Sequence, residues 1–234
     1  MSPKRFIYLL IFLSLNMSAV LQFSDQQRAN LITKFAPEVR FHNEEKYFPM
    51  DVNAFLPFVD LRDGSKNVII PKGQVNGQKL ASYSAPANAD YYLGFADKSM
   101  KGGSKPDQNK LVHAPVYANF IPLADGALIQ YTFFYPFNGA FQIGELPAGA
   151  DKIVNLFTKS TDIGDHEADW EHINVILKGS SPDNVALQDV YFARHRPSQD
   201  GSYNKPELAE GTHPVVYASK WGHAAHHNHK DRHD

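Results

Sequence analysis

The chain of 234 residues contains no cysteine, which excludes disulfide bonds as a source of stability. A domain without disulfides depends on its hydrophobic core and on anything else that ties its loops together, such as a bound metal ion. Hydrophobic residues make up 43% and aromatic residues 12% of the chain, which is enough for one well-packed domain. We therefore expect a single domain, with a metal ion as a candidate tie between loops.

A surplus of charge of one sign is also lacking. The 23 Lys and Arg residues nearly balance the 25 Asp and Glu residues, so the formal net charge is -2 and the pI about 6.6. No overall basic field can therefore hold nucleic acid or anionic lipid by charge alone, and we predict no nucleic-acid partner. Histidine, in contrast, is abundant: six of the 11 lie between His213 and His233.

Long hydrophobic runs are absent after the first twenty residues. Lys4 and Arg5 precede the apolar run 6–20, which ends in small residues. This pattern is typical of a secretory signal peptide. A membrane anchor is the alternative, but spanning a bilayer takes about 20 apolar residues, and this run is shorter and interrupted by polar ones. We predict a signal peptide over residues 1–20 and a secreted protein.

The remaining pattern predicts one helix followed by many strands. Ser24 and Gln27 have the spacing of a capping box, which predicts a short helix over residues 25–35. Runs rich in aromatic and β-branched residues then predict strands within 114–123, 126–138, 170–178, 187–196 and 213–220. The third and fourth runs are expected to pair across the turn "GSSPDN".

Many short strands without βαβ alternation predict a mostly β fold. We expect a single-domain β-sandwich with a short N-terminal helix and long loops, covering residues 21–221. A His-rich C-terminal tail is predicted over residues 222–234. The aromatic stripe of Tyr131, Phe133 and Tyr135 is expected to lie in the core.

The stretch 164–177, "GDHEADWEHINVIL", places charged residues at the start of an apolar strand. Because side chains alternate along a strand, Asp169 and Glu171 share a face with Ile173 and the apolar residues that follow it. Taking an unpaired carboxylate out of water costs several kcal/mol or shifts its pKa until it is neutral. Two carboxylates on the inward face therefore need a cation.

Three partners for these carboxylates remain open. An arginine is one, and the chain offers Arg40, Arg62, Arg194 and Arg196. A divalent metal ion with oxygen ligands is the second, and His166 is close enough in sequence to join that site. The third is a catalytic acid–base pair formed by the two carboxylates themselves.

The residues His166, Asp169, Trp170 and Glu171 resemble the heptapeptide Gly-His-Arg-His-Asp-Trp-Glu of the necrosis- and ethylene-inducing-peptide-like secreted proteins. The chain departs from that motif at Asp165, Glu167 and Ala168. The upstream stretch "YTFFYPFN" resembles that family's Tyr-x-Trp-Tyr-Phe-Pro-Lys-Asp, with Asn138 in place of the metal-binding Asp.

This resemblance implies a metal site formed by His166, Asp169 and Glu171, with Asn138 and Asp165 near it. An uncharged ligand at position 138 implies a weaker site or a changed ion preference. We expect Mg²⁺ or Ca²⁺ rather than Zn²⁺.

Three further segments, 35–56, 164–177 and 213–226, resemble the vacuolar-protein-sorting protein sixty-two family in the same order. They span most of the chain after the predicted signal peptide. This resemblance also implies a β-sandwich.

Other histidines and acids are candidates at the border of the same site. His223 follows a strand and a Gly turn, so it can lean over the carboxylates, and His172 is the second predicted ligand-contacting residue. The histidines of the tail suit Zn²⁺, but such tracts are often solvated and bind metal weakly. Glu44 and Glu45 are expected in a surface charge cluster from which either can reach the site.

We expect a secreted, monomeric β-sandwich protein. The resemblance to the necrosis-inducing group implies that its cation helps to bind a polar lipid headgroup or glycan on the membrane of a target cell. A metal-dependent hydrolase of a phosphoester or glycosidic bond is the alternative, with His166 or His223 shuttling protons. A non-catalytic secreted interaction module is the third reading. The chain has no Gly-x-Ser-x-Gly elbow.

Overall fold

The fold is mostly β, in a computed structural model that describes residues 20–82, 90–139, 166–193 and 202–229. The signal peptide predicted over residues 1–20 lies outside these ranges except for its last residue. Within the described ranges, no helix is long and apolar enough to cross a membrane. The predicted single-domain β-sandwich is confirmed.

The helical elements are short. The α-helices are α1 (Asp25–Lys34), α2 (Val52–Phe55) and α3 (Gly77–Ser82), and single 3₁₀ turns cover Leu56–Phe58 and Lys98–Met100. The strands are β1 (Glu38–Arg40), β2 (Val59–Asp63), β3 (Val68–Ile70), β4 (Tyr91–Phe95), β5 (Tyr117–Leu123), β6 (Gly126–Asn138), β7 (His166–Gly179), β8 (Val185–Phe192), β9 (Ser202–Asn204), β10 (Leu208–Ala209), β11 (His213–Ala218) and β12 (Ala225–His226).

The start of α1 follows from its sequence. The Ser24 hydroxyl accepts a hydrogen bond from the Gln27 backbone N–H at 3.2 Å, and the Gln27 side chain accepts one from the Ser24 N–H at 2.9 Å. This capping box satisfies two backbone donors that the helix itself leaves unpaired. The predicted front helix is therefore confirmed, with its last helical residue at Lys34.

The main sheet has five antiparallel strands in the order β5-β6-β7-β8-β9. It contains two hairpins, one between β5 and β6 and the predicted one between β7 and β8. Gly126 opens β6 with φ 153°, and a Cβ there would lie 1.9 Å from the Leu177 carbonyl oxygen, so only glycine fits. The turn between Gly179 and Val185 joins β7 to β8, as the "GSSPDN" pattern predicts.

The inward face of the main sheet packs against a second sheet, which contains the parallel pair β1 and β11 with β12 and β10 at its edges. Their shared core includes the stripe Tyr131, Phe133 and Tyr135, which confirms its predicted burial. A smaller sheet, β3-β2-β4, covers the opposite face of β6 around Phe134.

The structure adds elements that the sequence does not predict. Two short helices, α2 and α3, follow α1. β12 follows the predicted run 213–220 and pairs with β11.

The described part of the predicted tail, residues 222–229, is packed into the domain at its start. His223, Ala224, Ala225 and His226 are all buried. The turn that carries these residues returns the chain to the end of the main sheet where the carboxylates lie.

Candidate functional site

The carboxylates of Asp169 and Glu171 lie on the inward face of β7. Asp169 is opposite Tyr135 and Glu171 is opposite Phe133 in the register with β6. The two acids are only 6% and 4% exposed, while their outward neighbour Trp170 is 49% exposed. The predicted alternation of faces is therefore confirmed, and both acids are removed from water.

A third buried carboxylate comes from the loop after β1. Glu45 is 8% exposed, and one of its oxygens accepts hydrogen bonds from the backbone N–H groups of Lys46 and Tyr47, both at 2.9 Å. The other oxygen accepts one from the Trp221 N–H at 2.8 Å. Burial opposes ionisation, but His223 and these backbone donors lower the pKa of Glu45 below its ordinary value, so the loop holds a carboxylate anion.

His223 lies between two of these acids. Its Nδ1 is 3.3 Å from Asp169 Oδ2, its Nε2 is 3.7 Å from Glu45 Oε1, and the residue is 1% exposed. Burial lowers the pKa of His223, but the two carboxylates outweigh it and the net shift is upward. The imidazole is therefore stabilised as a cation by Asp169 and Glu45.

Tyr135 forms the floor of the cluster. Its ring is stacked on the His223 imidazole with centroids 3.8 Å apart and an interplanar angle of 6°. Burial, together with the charges of Glu171, Glu45 and Asp169, raises the pKa of the Tyr135 phenol well above its ordinary value. Tyr135 thus lies beside both Asp169, its partner in the register of β6 and β7, and His223.

Asn138, at the end of β6, also contacts the cluster. It is 7% exposed, and its Nδ2 donates a hydrogen bond to Asp169 Oδ2 at 3.2 Å. Asp169 Oδ2 therefore accepts a hydrogen bond from Asn138 and also lies next to His223. This arrangement fixes the orientation of Asp169.

The backbone around the cluster contains uncommon conformations. Ala168, Trp221 and His223 have φ values of 60°, 63° and 58°, in the left-handed region that non-glycine residues avoid. Such residues persist only where the surroundings impose them. Here one directly precedes Asp169 and two belong to the turn that brings His223 to it.

The structure brings together some predicted site residues and separates others. Asp169, Glu171, Asn138 and His223 are all buried at one end of the main sheet. His166 is exposed, and among the described residues no hydrogen bond or ion pair joins it to Asp169 or Glu171. Asp165 lies outside the described residues.

His172 does not belong to the cluster. It is half-buried on the outward face of β7, opposite Thr132, and burial lowers its pKa. Because alternate residues face opposite sides of a strand, His172 cannot line the same cavity as Glu171.

The arginines named as alternative partners also lie elsewhere. Arg40 is paired with Glu38 and Glu207, and Arg62 with Asp60. Arg194 and Arg196 are outside the described residues. The cation beside Asp169 and Glu45 in this part of the chain is His223.

The donor set is rich in oxygen, as Mg²⁺ and Ca²⁺ require. It consists of the carboxylates of Asp169 and Glu171 with the side-chain amide of Asn138. No group of three or more His, Asp or Glu residues in the described ranges already has the arrangement of a metal site. The chemistry of the donors suits a hard cation, and His223 occupies the space between Asp169 and Glu45.

Two members of the cluster are poorly signalled by the sequence. Tyr135 continues an aromatic core stripe, and nothing in the stripe distinguishes it. Glu45 follows Glu44, and the pair has the pattern of an exposed charge cluster. Their contacts arise only when the loop after β1 and the turn before β12 meet.

Together, the fold and the cluster define a β-sandwich protein with a buried acidic site at one end of its main sheet. The chain belongs to the vacuolar protein sorting-associated protein 62 family, whose sequence pattern matches residues 7–231. Among curated proteins, none matches the chain significantly.

Solved structures similar to the chain include necrosis and ethylene inducing proteins, the other family that the sequence resembles. NLPPya in complex with mannosamine is 14% identical with a TM-score of 0.42, and the match covers 90% of this chain and 71% of that chain. NLPPya in complex with glucosamine is 16% identical with a TM-score of 0.42, covering 88% and 70%. Necrosis and Ethylene inducing Protein 2 from the causal agent of cocoa's Witches Broom disease is 18% identical with a TM-score of 0.42, covering 90% and 71%.

Proposed function

We propose that the chain is a secreted protein whose buried acidic cluster binds a divalent cation and, with it, a polar lipid headgroup or glycan on a target membrane. The observation that carries this proposal is the burial of three carboxylates, Glu45, Asp169 and Glu171, two of which face His223. Acids placed this deep in a domain are costly unless cations compensate them. His223 supplies one positive charge beside Asp169 and Glu45, and a divalent ion would add positive charge at the same end of the sheet.

The residues that would hold the ion are Asp169, Glu171 and Asn138, with His166 and Asp165 as the predicted additional ligands. A hard dication supplies attraction for hydroxyl or phosphate oxygens, so a chain of near-neutral charge can still hold such a ligand. The chain's own part is to keep the carboxylates oriented, through the contacts that Asn138 and His223 make with Asp169.

The same geometry favours binding over hydrolysis. A proton shuttle must present a ring nitrogen to its substrate. Both ring nitrogens of His223 instead face carboxylates, and the residue is 1% exposed. His223 therefore serves as a fixed counter-charge rather than as a proton shuttle.

Cation binding is tested by thermal unfolding of the purified protein with added Mg²⁺ or Ca²⁺ and with chelator. A ligand that binds only the folded state stabilises it by about 2.7 kcal/mol at a hundred times its Kd. We expect the cation to raise the Tm of the wild type, and Asp169→Asn or Glu171→Gln to abolish that rise.

The matched control is Glu210→Gln, which removes an exposed carboxylate remote from the cluster in sequence and should leave the cation response intact. A wild-type Tm that is indifferent to both cation and chelator would contradict the proposal. So would a cation response that survives both Asp169→Asn and Glu171→Gln.

Ligand binding and secretion need separate measurements. We expect vesicles that contain glycolipid to bind the wild type in the presence of cation and to lose this binding with chelator. Turnover of a phosphodiester or oligosaccharide panel would instead support the hydrolase. N-terminal sequencing of the exported protein is expected to show that the segment ending near residue 20 has been removed.

A further inference from the structure

A basic and aromatic surface borders the acidic cluster. We name it the rim and define it by three lysines and two partly exposed aromatic residues, Lys46, Lys101, Lys220, Tyr47 and Trp221; the buried ring of Phe137 packs beneath Tyr47 and Lys101. The cation site proposed above gives these side chains no role.

The rim is one continuous surface, because Gly139 joins its aromatic residues. A Cβ at Gly139 would lie 2.6 Å from the Tyr47 ring and 2.7 Å from Trp221 Cβ, so both side chains close on this glycine. The Gly139 N–H also donates to the Trp221 carbonyl at 2.8 Å. On its other side, the Tyr47 ring is 4.9 Å from Phe137.

The rim is also tied to the acidic cluster through its backbone. The N–H groups of Tyr47 and Trp221 both donate to the Glu45 carboxylate, at 2.9 Å and 2.8 Å. The aromatic rings therefore stand directly beside the buried acids.

The lysines of the rim lie against rings. Lys101 Nζ is 3.5 Å from the centroid of Phe137, and Lys46 and Lys220 Nζ are 5.1 Å and 4.6 Å from that of Trp221. An aromatic face holds an ammonium group in place but does not neutralise it, whereas a carboxylate would. These contacts therefore position positive charge without cancelling it.

The rim is positive although the whole chain carries a formal charge of -2. Lys220 forms an ion pair with Glu44. Within the described part of the chain, Lys46 and Lys101 form no ion pair, and their charges remain available to an anion. The local charge thus differs in sign from that of the acidic cluster beside it.

We propose that the rim binds the phosphate groups of an anionic lipid surface. Lysines near such a surface are attracted by its phosphates, and Trp and Tyr rings suit the boundary between water and lipid because one end is apolar and the other polar. The proposal extends the proposed function by giving the ligand a negative charge. It requires no bound cation.

The test is co-sedimentation with vesicles in the presence of chelator, which removes the cation site from the measurement. We expect binding to phosphatidylcholine vesicles that contain phosphatidylglycerol, and far weaker binding to phosphatidylcholine alone. Each of the two unpaired lysines removed should lower the partition coefficient about fivefold, so the triple variant Lys46→Ala, Lys101→Ala, Lys220→Ala should lose at least about twenty-five-fold. Binding should also weaken as salt is added.

The charge-matched control replaces three lysines outside the rim, Lys34, Lys79 and Lys205, with alanine, and it should bind like the wild type. Because Lys220 is paired with Glu44, the double variant Lys46→Ala, Lys101→Ala repeats the test without disturbing that pair. Equal losses in the rim and control variants would overturn the proposal, since total charge would then explain them. Binding that appears only with cation would also overturn it, while leaving the cation site standing.

The source of the phosphate is tested by competition. Soluble glycerol phosphate, matched to the lipid phosphate, is expected not to displace the protein from vesicles, because single phosphates lack the many charges of a surface. Efficient displacement would overturn the membrane as the ligand and indicate a small phosphate instead.

Fluorescence provides a local readout, because the chain has 2 tryptophans and only Trp221 belongs to the rim. In the variant Trp170→Phe, the emission of Trp221 should shift to shorter wavelength when anionic vesicles are added. In the variant Trp221→Phe, the emission of Trp170 should not shift. The reverse result would place the membrane contact on the outward face of β7 and overturn the proposal.

Discussion

The inward face of β7 has an apolar half and an acidic half. Ile173, Val175 and Leu177 are 0% exposed in the first, and Asp169 and Glu171 are 6% and 4% exposed in the second. The burial is nearly equal but the chemistry is opposite. The apolar half gains free energy by leaving water, whereas the acidic half loses it and needs polar partners.

The two halves also differ in where their partners come from. The apolar half packs against neighbouring strands of its own sheet and against the facing layer. The acidic half depends on a turn that presents His223 and a loop that presents Glu45. The apolar end of β7 is therefore stabilised by its own sheet and the facing layer. The acidic end is stabilised only when the loop that carries Glu45 and the turn that carries His223 are in place.

The largest expected effect is in the apolar half. Leu177→Ala should lower the free energy of unfolding by about 2–5 kcal/mol, because it removes buried methyl groups and leaves a cavity. Urea denaturation measures this loss, which should be the same with cation and with chelator. The control Ile176→Ala, at a half-buried outward position, should cost much less. If both variants lost the same free energy of unfolding, the inward and outward faces of β7 would not differ in their contribution to stability.

A smaller effect is expected from the loop that supports the acidic half. Glu45→Gln places an amide NH₂ where a carboxylate oxygen accepts backbone N–H groups, and it removes the charge that faces His223. The expected cost is about 1–3 kcal/mol in the free energy of unfolding. The neighbouring Glu44→Gln is the control, since Glu44 is 61% exposed and its surface ion pair contributes little. A loss for Glu44→Gln as large as that for Glu45→Gln would contradict the assignment.

The smallest effect is a change of pH dependence. Because the pKa of His223 is raised above its ordinary 6.5, its stabilisation is complete below that value and is lost as the pH rises through the higher folded-state value. In chelator, the difference in stability between wild type and His223→Asn should therefore shrink as the pH increases. Asn tolerates the left-handed φ at this position better than most residues.

His172 provides a control of opposite sign. Its pKa is lowered by burial, so protonation favours the unfolded state and its effect on stability worsens as the pH falls. His172→Asn should remove that penalty at low pH. If the stability of His172→Asn and His223→Asn, each relative to the wild type, changed with pH in the same direction, the two histidines would not have opposite pKa shifts.

The sequence predicts well the features that depend on residues close to one another in the chain. The alternation of Asp169, Glu171 and Ile173 on one face needs only the geometry of a strand, and the structure confirms it. The start of α1 and the turn between β7 and β8 likewise follow from local signals, since capping and turn residues act over three to five positions.

The rest depends on contacts distant in sequence. β2 and β4 escape prediction because they are short and pair only with each other and with β3. Glu45 has the local pattern of a surface acid, and its burial results from Trp221, which is 176 positions away. Within the candidate site, the residues on β7 and the position of His223 could be anticipated, whereas the role of Tyr135 could not.

The parallel pairing of β1 with β11 has a consequence for synthesis. Glu45 follows the first of these strands and His223 follows the second, so a growing chain contains the acids long before the histidine that lies between them. Until residue 223 has been synthesised, Glu45 in its loop and Asp169 on β7 lack the histidine that separates them in the folded protein. Only when the turn between β11 and β12 has formed does His223 reach Asp169 and Glu45.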